Sequence, residues 1–179
     1  MNERKTITAV IMITALAVMV SVAGPAHVGP ASAYPPADVT GAVNPDVTQQ
    51  NLSNTVCAPT DPQRAKGKKT YIQSLRPPTS YTDKLKGLSM QALHLPGPMD
   101  AYEEDHLISI ENGGHPKDPK NLWPEPWEGP YGAHVKDAVE NAVHKELCAG
   151  TMSLIDAQTC LASDWVACGR RLSVKSVPQ

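Results

Sequence analysis

Apolar residues recur at helical spacing most clearly in the last third of the chain. Val135, Val139, Ala142 and Leu147 fall on one face of a helix. The helix is expected to end within Cys148–Gly150, because glycine is favoured just past a helix C-terminus.

Two further helices are indicated. A capping-box-like pair, Ser153 and Asp156, opens one whose apolar face includes Leu161 and Trp165. The other covers Tyr81–Leu93, and a Pro-Gly-Pro sequence follows it.

The middle of the chain favours extended structure. Tyr71–Leu75 reads as a short strand before two prolines, and Tyr102–Ile110 is rich in residues that favour strands. Asn112–Gly114 is a strong turn signal, and Asn121–Trp123 would be the returning strand, closed by the prolines after it. The predicted order is therefore strand, loop, strand, loop, helix.

The start of the chain has the pattern of a secretory signal peptide. Arg4 and Lys5 precede an apolar run, and an Ala-Ser-Ala site ends at Ala33. We predict a signal peptide over residues 1–33, cleaved near Ala33, and a secreted product with no stable membrane association. The alternative is an uncleaved membrane anchor through residues 7–24.

The rest of the chain divides into three parts. Residues 34–55 carry Pro, Gly and Asn without periodic apolar positions, which predicts a linker. Residues 56–168 form the predicted domain, and the polar residues 169–179 form a frayed tail. The formal net charge of −2 argues against a protein that coats nucleic acid by bulk charge.

The four cysteines allow three disulfide pairings. We predict Cys57 with Cys148 and Cys160 with Cys168, because the last two are close in sequence. Such bridges suit an exported chain with a thin core, and this one contains no Phe.

Asp105-His106 is the pair of residues with the clearest chemistry. A neutral imidazole takes a proton from water near neutral pH, and a carboxylate can hold a divalent cation that stabilises charge on phosphate. Because side chains alternate along a strand, the two can share a site only if the strand bends or ends there.

The surroundings of this pair resemble the motif of HNH nucleases. The segment from Glu104 to Ile108 is followed by Gly113-Gly114, by Asn121-Leu122 and by the predicted helix. The run YEEDHLISIENGGHPKDPKNLWPEPW is similar to exported HNH-like proteins that carry D-H-L-I, G-G and N-L-W-P. The resemblance covers about residues 56 to 166 and implies an α+β fold: a ββα-metal core with additional helices.

The resemblance also implies roles for single residues. His106 occupies the position of the general base, Asp105 that of a metal ligand, and Asn121 that of the residue that fixes the loop and helps to orient the base. A second metal ligand is expected near the start of the helix, where His134 ranks first and Asp137 second. The other candidates on that helix are Glu140, Asn141 and His144.

These ligands favour Mg²⁺, because a site with one carboxylate and retained waters suits a hard cation. Mn²⁺ is an alternative, and so is Zn²⁺ if His134 binds. The nucleic-acid path is assigned to Arg76, Lys84 and Lys136, since Arg and Lys bind phosphate through charge.

Two functional hypotheses follow from the sequence. The first is a metal-dependent endonuclease that cleaves DNA in preference to RNA, with His106 as its base. The alternative is a non-catalytic exported binding module that keeps the HNH fold. A zinc peptidase is poorly supported because the chain has no H-E-x-x-H motif.

Overall fold

The computed structural model describes residues 34–59 and 69–179. Its helices and strands, in chain order, are α1 (Tyr71–Leu75), α2 (Thr79–Ala92), β1 (Tyr102–His106), β2 (Leu122–Pro126), α3 (Ala133–Ala149) and α4 (Leu154–Arg171). The predicted signal peptide and the alternative anchor lie outside the described residues. Within them, no helix has the length and apolar character needed to cross a membrane.

The two strands form an antiparallel hairpin, so the fold is α+β with a small sheet. The register pairs Asp105 with Trp123 and His106 with Leu122. Helix α2 packs on both strands, while α3 packs against α4. The hairpin therefore presents its loop and the end of β1 beside the long helices.

The predicted helices agree with the structure. Helix α3 ends at Gly150, which has a left-handed φ of 76°, and Ser153 caps α4 by accepting a hydrogen bond from the Asp156 N–H. The apolar faces of α3 and α4 meet in the main core, which includes the fully buried Trp165. An unusual backbone angle at Asp164 kinks α4 without ending it.

The strand predicted over Tyr71–Leu75 is wrong, because this segment is helix α1. The Thr70 hydroxyl accepts from the Gln73 N–H, and the Gln73 side chain accepts from the Thr70 N–H. This reciprocal capping box satisfies two backbone donors at the helix start and favours a helical turn over β propensity.

Both strands of the hairpin differ in length from the prediction. Strand β1 ends at His106 instead of Ile110, and Ile110–Asn112 forms a 3-10 turn. Strand β2 begins at Leu122 and continues through its two prolines to Pro126. A proline is tolerated there because each strand of a two-stranded sheet has an unpaired edge.

The predicted linker over 34–55 is also wrong in its second half. Val47 and Leu52 belong to the core, and the Asn44 N–H donates to the Gly113 carbonyl at 2.9 Å. The tail is packed as well, because Val177 is buried among core residues. Small numbers of apolar residues without periodicity were enough to anchor both segments.

The predicted disulfides are confirmed. Cys57 pairs with Cys148 across 91 residues, and Cys160 pairs with Cys168 across eight. The first bond joins the segment before α1 to the end of α3, and the second lies within α4. Two disulfides indicate an oxidising compartment.

Candidate functional site

The loop between the strands is shaped by glycines. Gly113 adopts a left-handed conformation with φ of 81°. At Gly114 a Cβ atom would lie 1.8 Å from the Ile108 carbonyl oxygen, so no larger residue fits without a backbone shift. The loop therefore folds back closely on the segment that follows β1.

Asn121 holds this folded loop from its centre. It is fully buried, and its side-chain amide donates to the carbonyls of Ile108 and His115 at 2.9 and 3.0 Å. Its Oδ1 accepts from the Ile108 N–H at 2.9 Å. These three bonds fix the backbone immediately before Pro116.

The Pro116 carbonyl orients the ring of His106. It lies 3.1 Å from Nε2 of His106, and because a carbonyl only accepts, Nε2 must carry the hydrogen. In the neutral ring Nδ1 then keeps a free lone pair. Burial lowers the pKa of His106 below its ordinary value of 6.5, so the ring is neutral at pH 7.

Asp105 precedes His106 at the end of β1, where the strand stops. Its Oδ2 accepts a hydrogen bond from Nζ of Lys136 at 2.7 Å, and its side chain is 13% exposed. Burial alone would raise the pKa of Asp105, but the Lys136 ammonium and a hydrogen bond from Glu125 hold it below its usual value. Asp105 therefore stays ionised.

Lys136 is wholly buried, which corrects its assignment to the nucleic-acid surface. It forms ion pairs with Asp105 and with Glu140, one turn further along α3. Although burial opposes the charge, these carboxylates raise the pKa of Lys136 well above its ordinary value. An ammonium enclosed in this way cannot reach a phosphate in solvent.

Glu125, on β2, completes this buried cluster. Neither of its oxygens finds a donor among the described residues. Burial raises the pKa of Glu125 to about 10. The charge of Asp105 adds to this effect, and the Lys136 ammonium opposes it. A neutral Glu125 can donate its proton to the Asp105 carboxylate, which turns a contact between two acceptors into a hydrogen bond.

Three other ionisable residues, Glu103, Asp137 and Arg76, lie within electrostatic reach of this cluster. Burial and the charges of Asp105 and Asp137 raise the pKa of Glu103 to about 7. Burial and Asp105 likewise raise the pKa of Asp137. Arg76, exposed after α1, opposes both shifts, so its guanidinium lies within electrostatic reach of these carboxylates.

Two further predicted site residues, His134 and Lys84, are exposed. His134 is exposed, with Nε2 3.6 Å from a Glu128 oxygen and its ring 5.2 Å from that of Trp127. No contact joins its imidazole to Asp105 among the described residues, but its charge lowers the pKa of Asp137, so it lies within electrostatic reach of that carboxylate. Lys84 is exposed on α2. The structure thus groups Asp105, His106, Asn121, Asp137 and Arg76, with His134 beside Asp137.

The donors around Asp105 are suited to a hard cation. They are carboxylate oxygens, which suit Mg²⁺ or Mn²⁺ with several retained waters. Within the described chain, the one group of three ligand atoms lying within 4.8 Å of one another is Cys57, His144 and Cys148, whose sulfurs are already joined. A closed zinc cage is therefore not formed by the residues of the site.

Glu125 and Pro116 are site residues that sequence reasoning missed, and Lys136 was given the wrong role. A signal existed for Lys136, because it shares a helix face with Val139, Val143 and Leu147, all of which are buried. The i,i+4 spacing to Glu140 was a second signal. Pro116 acts through its backbone carbonyl, which every residue has, so its residue type does not indicate this role.

Comparisons of this chain with protein-family models, with curated proteins and with solved structures give no match. Its function must therefore be argued from the chemistry of the site.

Proposed function

We propose that this protein is an exported endonuclease that hydrolyses phosphodiester bonds in nucleic acid, with DNA as its preferred substrate. The observation that carries the proposal is the orientation of His106. Its Nε2 is fixed to the Pro116 carbonyl, so Nδ1 of a neutral ring is left as the proton acceptor. This is the state that a general base needs near pH 7.

In the proposed reaction, Nδ1 of His106 removes a proton from the attacking water as it adds to phosphorus. Asn121 keeps the base in place through the loop that carries Pro116. Arg76 binds the phosphate of the strand, since its planar guanidinium can grip two phosphate oxygens. The ester bond breaks on the far side, and the leaving oxygen takes up a proton from solvent.

A divalent cation would be held by Asp105, with Asp137 as the second carboxylate. When bound, it supplies Lewis-acid stabilisation of the charge on phosphate and on the leaving oxygen. The carboxylate donors support Mg²⁺ or Mn²⁺ over Zn²⁺. In this proposal β1, the glycine loop, β2 and α3 correspond to the ββα-metal arrangement of HNH nucleases.

The test is cleavage of plasmid DNA by the purified protein with Mg²⁺, with Mn²⁺ and with chelator. We expect nicking that needs the metal, and loss of at least about 100-fold in rate in His106→Ala. His144→Ala is the matched control, because His144 lies on α3 outside the site, and it should cleave like the wild type. Cleavage unchanged by chelator would refute the metal, and full activity of His106→Ala would refute the base.

A second candidate is a non-catalytic binding module, favoured by an apolar groove beside the site. The groove encloses about 1140 Å³ and is lined by Tyr102, Trp123, Trp127 and His134 among others. Its lining carries the acids Asp100 and Glu128 and no Lys or Arg, so it does not suit phosphate. Nucleic-acid binding without cleavage over several metals would favour this candidate.

A further inference from the structure

All three hydrogens of the buried Lys136 ammonium are committed to protein acceptors. Nζ donates to Asp105 Oδ2 and to the His106 carbonyl, each at 2.7 Å, and to Oε1 of Glu140. An ammonium has three donors and no acceptor. With a fully buried side chain, Lys136 has neither a free hydrogen nor a path to substrate.

Two of these acceptors belong to the consecutive residues of the candidate site. One is the side chain of Asp105, and the other is the main-chain carbonyl of His106. Both lie in the last two residue pairs of the β1–β2 ladder. Just beyond them, the Leu107 N–H donates to the Asn121 carbonyl at 2.9 Å, so the hairpin holds this backbone from one side. Lys136 adds two bonds from α3, one to the Asp105 side chain and one to the His106 carbonyl.

The third acceptor fixes the ammonium on its own helix. Glu140 lies one turn after Lys136, and its side chain is also buried. Because Lys has a flexible four-carbon stem, an unheld ammonium would sample several positions. The Glu140 carboxylate restricts Nζ to the point from which it reaches both Asp105 and His106.

We propose that Lys136 is a positioning residue, whose ammonium sets the directions of the Asp105 carboxylate and the His106 backbone relative to α3. This inference rests on the proposed function, because it assigns those two groups to the reaction. Lys136 itself touches no substrate. It determines whether the base and the cation-binding carboxylate face the same phosphate.

The proposal separates Lys136 from a phosphate-binding lysine by kinetics. A lysine that contacts phosphate affects KM and the dependence of binding on salt. A positioning residue affects kcat, and a displacement of about 1 Å costs about 100-fold in rate. The two roles therefore predict changes in different kinetic parameters: KM for a phosphate-binding lysine and kcat for a positioning residue.

The experiment compares Lys136→Met, Lys136→Arg and the control Lys145→Met, which removes an exposed lysine from the same helix. We expect Lys136→Met to lower kcat about 100-fold with KM and its salt dependence unchanged. Lys136→Arg keeps the charge, so it tests the proposal even if the Met variant does not fold. It should lower kcat at least about 10-fold, because its planar donors cannot meet the same three acceptors. Lys145→Met should resemble the wild type.

Wild-type kcat in Lys136→Arg, or a change confined to KM and salt dependence, would overturn the proposal. A readout independent of cleavage separates it from the proposed function. The ring ¹⁵N NMR signals of His106 should shift in Lys136→Arg and stay fixed in Lys145→Met. If the wild type cleaves nothing, the nuclease proposal fails, whereas unshifted His106 signals would refute the positioning role by itself.

Discussion

Replacing Asn121 by alanine would remove the centre of the loop that orients the base. The side chain makes three buried hydrogen bonds, two to the carbonyls of Ile108 and His115 and one from the Ile108 N–H. The substitution leaves these three backbone groups without partners, and the two of Ile108 are buried. Each unsatisfied buried group costs about 1–3 kcal/mol.

We expect Asn121→Ala to lower the free energy of unfolding by about 4 kcal/mol. This value is near the lower end of the range for three unsatisfied groups, because the loop can relax toward solvent. For a chain of this size, that corresponds to a fall in Tm of about 8–16 °C. Urea unfolding at pH 7, followed by tryptophan fluorescence, measures the free energy directly.

The matched control is Asn141→Ala. Asn141 is exposed on α3 and donates only to the carbonyl of Asp137 in its own helix, so its loss should cost less than about 0.5 kcal/mol. A loss below about 1 kcal/mol in Asn121→Ala would refute the claim that this residue holds the loop. Cleavage by folded Asn121→Ala should also fall, because Pro116 would no longer be fixed.

Two further predictions concern stability. Burial raises the pKa of Glu104 to about 8, so the stability that its neutral form contributes is present at low pH and is lost as the pH rises through that value. As the pH rises from 5 to 8, Glu104→Gln should therefore become more stable relative to the wild type. A difference in urea unfolding that does not change with pH would contradict this. Loop-closure entropy predicts that the Cys57–Cys148 bond stabilises the fold by about 4.6 kcal/mol and the Cys160–Cys168 bond by about 2.5 kcal/mol. Replacing both cysteines of a bond by serine should therefore cost more stability for the first bond than for the second. The reverse order would argue against an entropic origin.

The sequence predicted those parts of the fold that depend on local patterns. The apolar stripe of α3 and the glycine after it specified a helix and its end, and Ser153 specified the start of α4. Tyr71–Leu75 is a helix because the Thr70–Gln73 capping box outweighs the β propensity of the segment. This signal is local, and the sequence contains it.

Other features depend on contacts between distant residues and carry no local pattern. Val47 and Leu52 become core residues only because α3 and α4 provide a surface for them. The burial of Lys136 depends on Asp105, 31 residues earlier in the chain. Asp105 and His106 could be identified from their chemistry, whereas the groups that orient them required the structure.

The state of the His106 ring is the central claim, and ¹⁵N NMR of histidine-labelled protein tests it most directly. At pH 7 we expect a neutral ring with hydrogen on Nε2 and a bare Nδ1. On titration the His106 signals should give a pKa below 6.5. A ring that carries its hydrogen on Nδ1, or one that is protonated at pH 7, would contradict the account, because Nδ1 would then have no lone pair with which to take a proton from water.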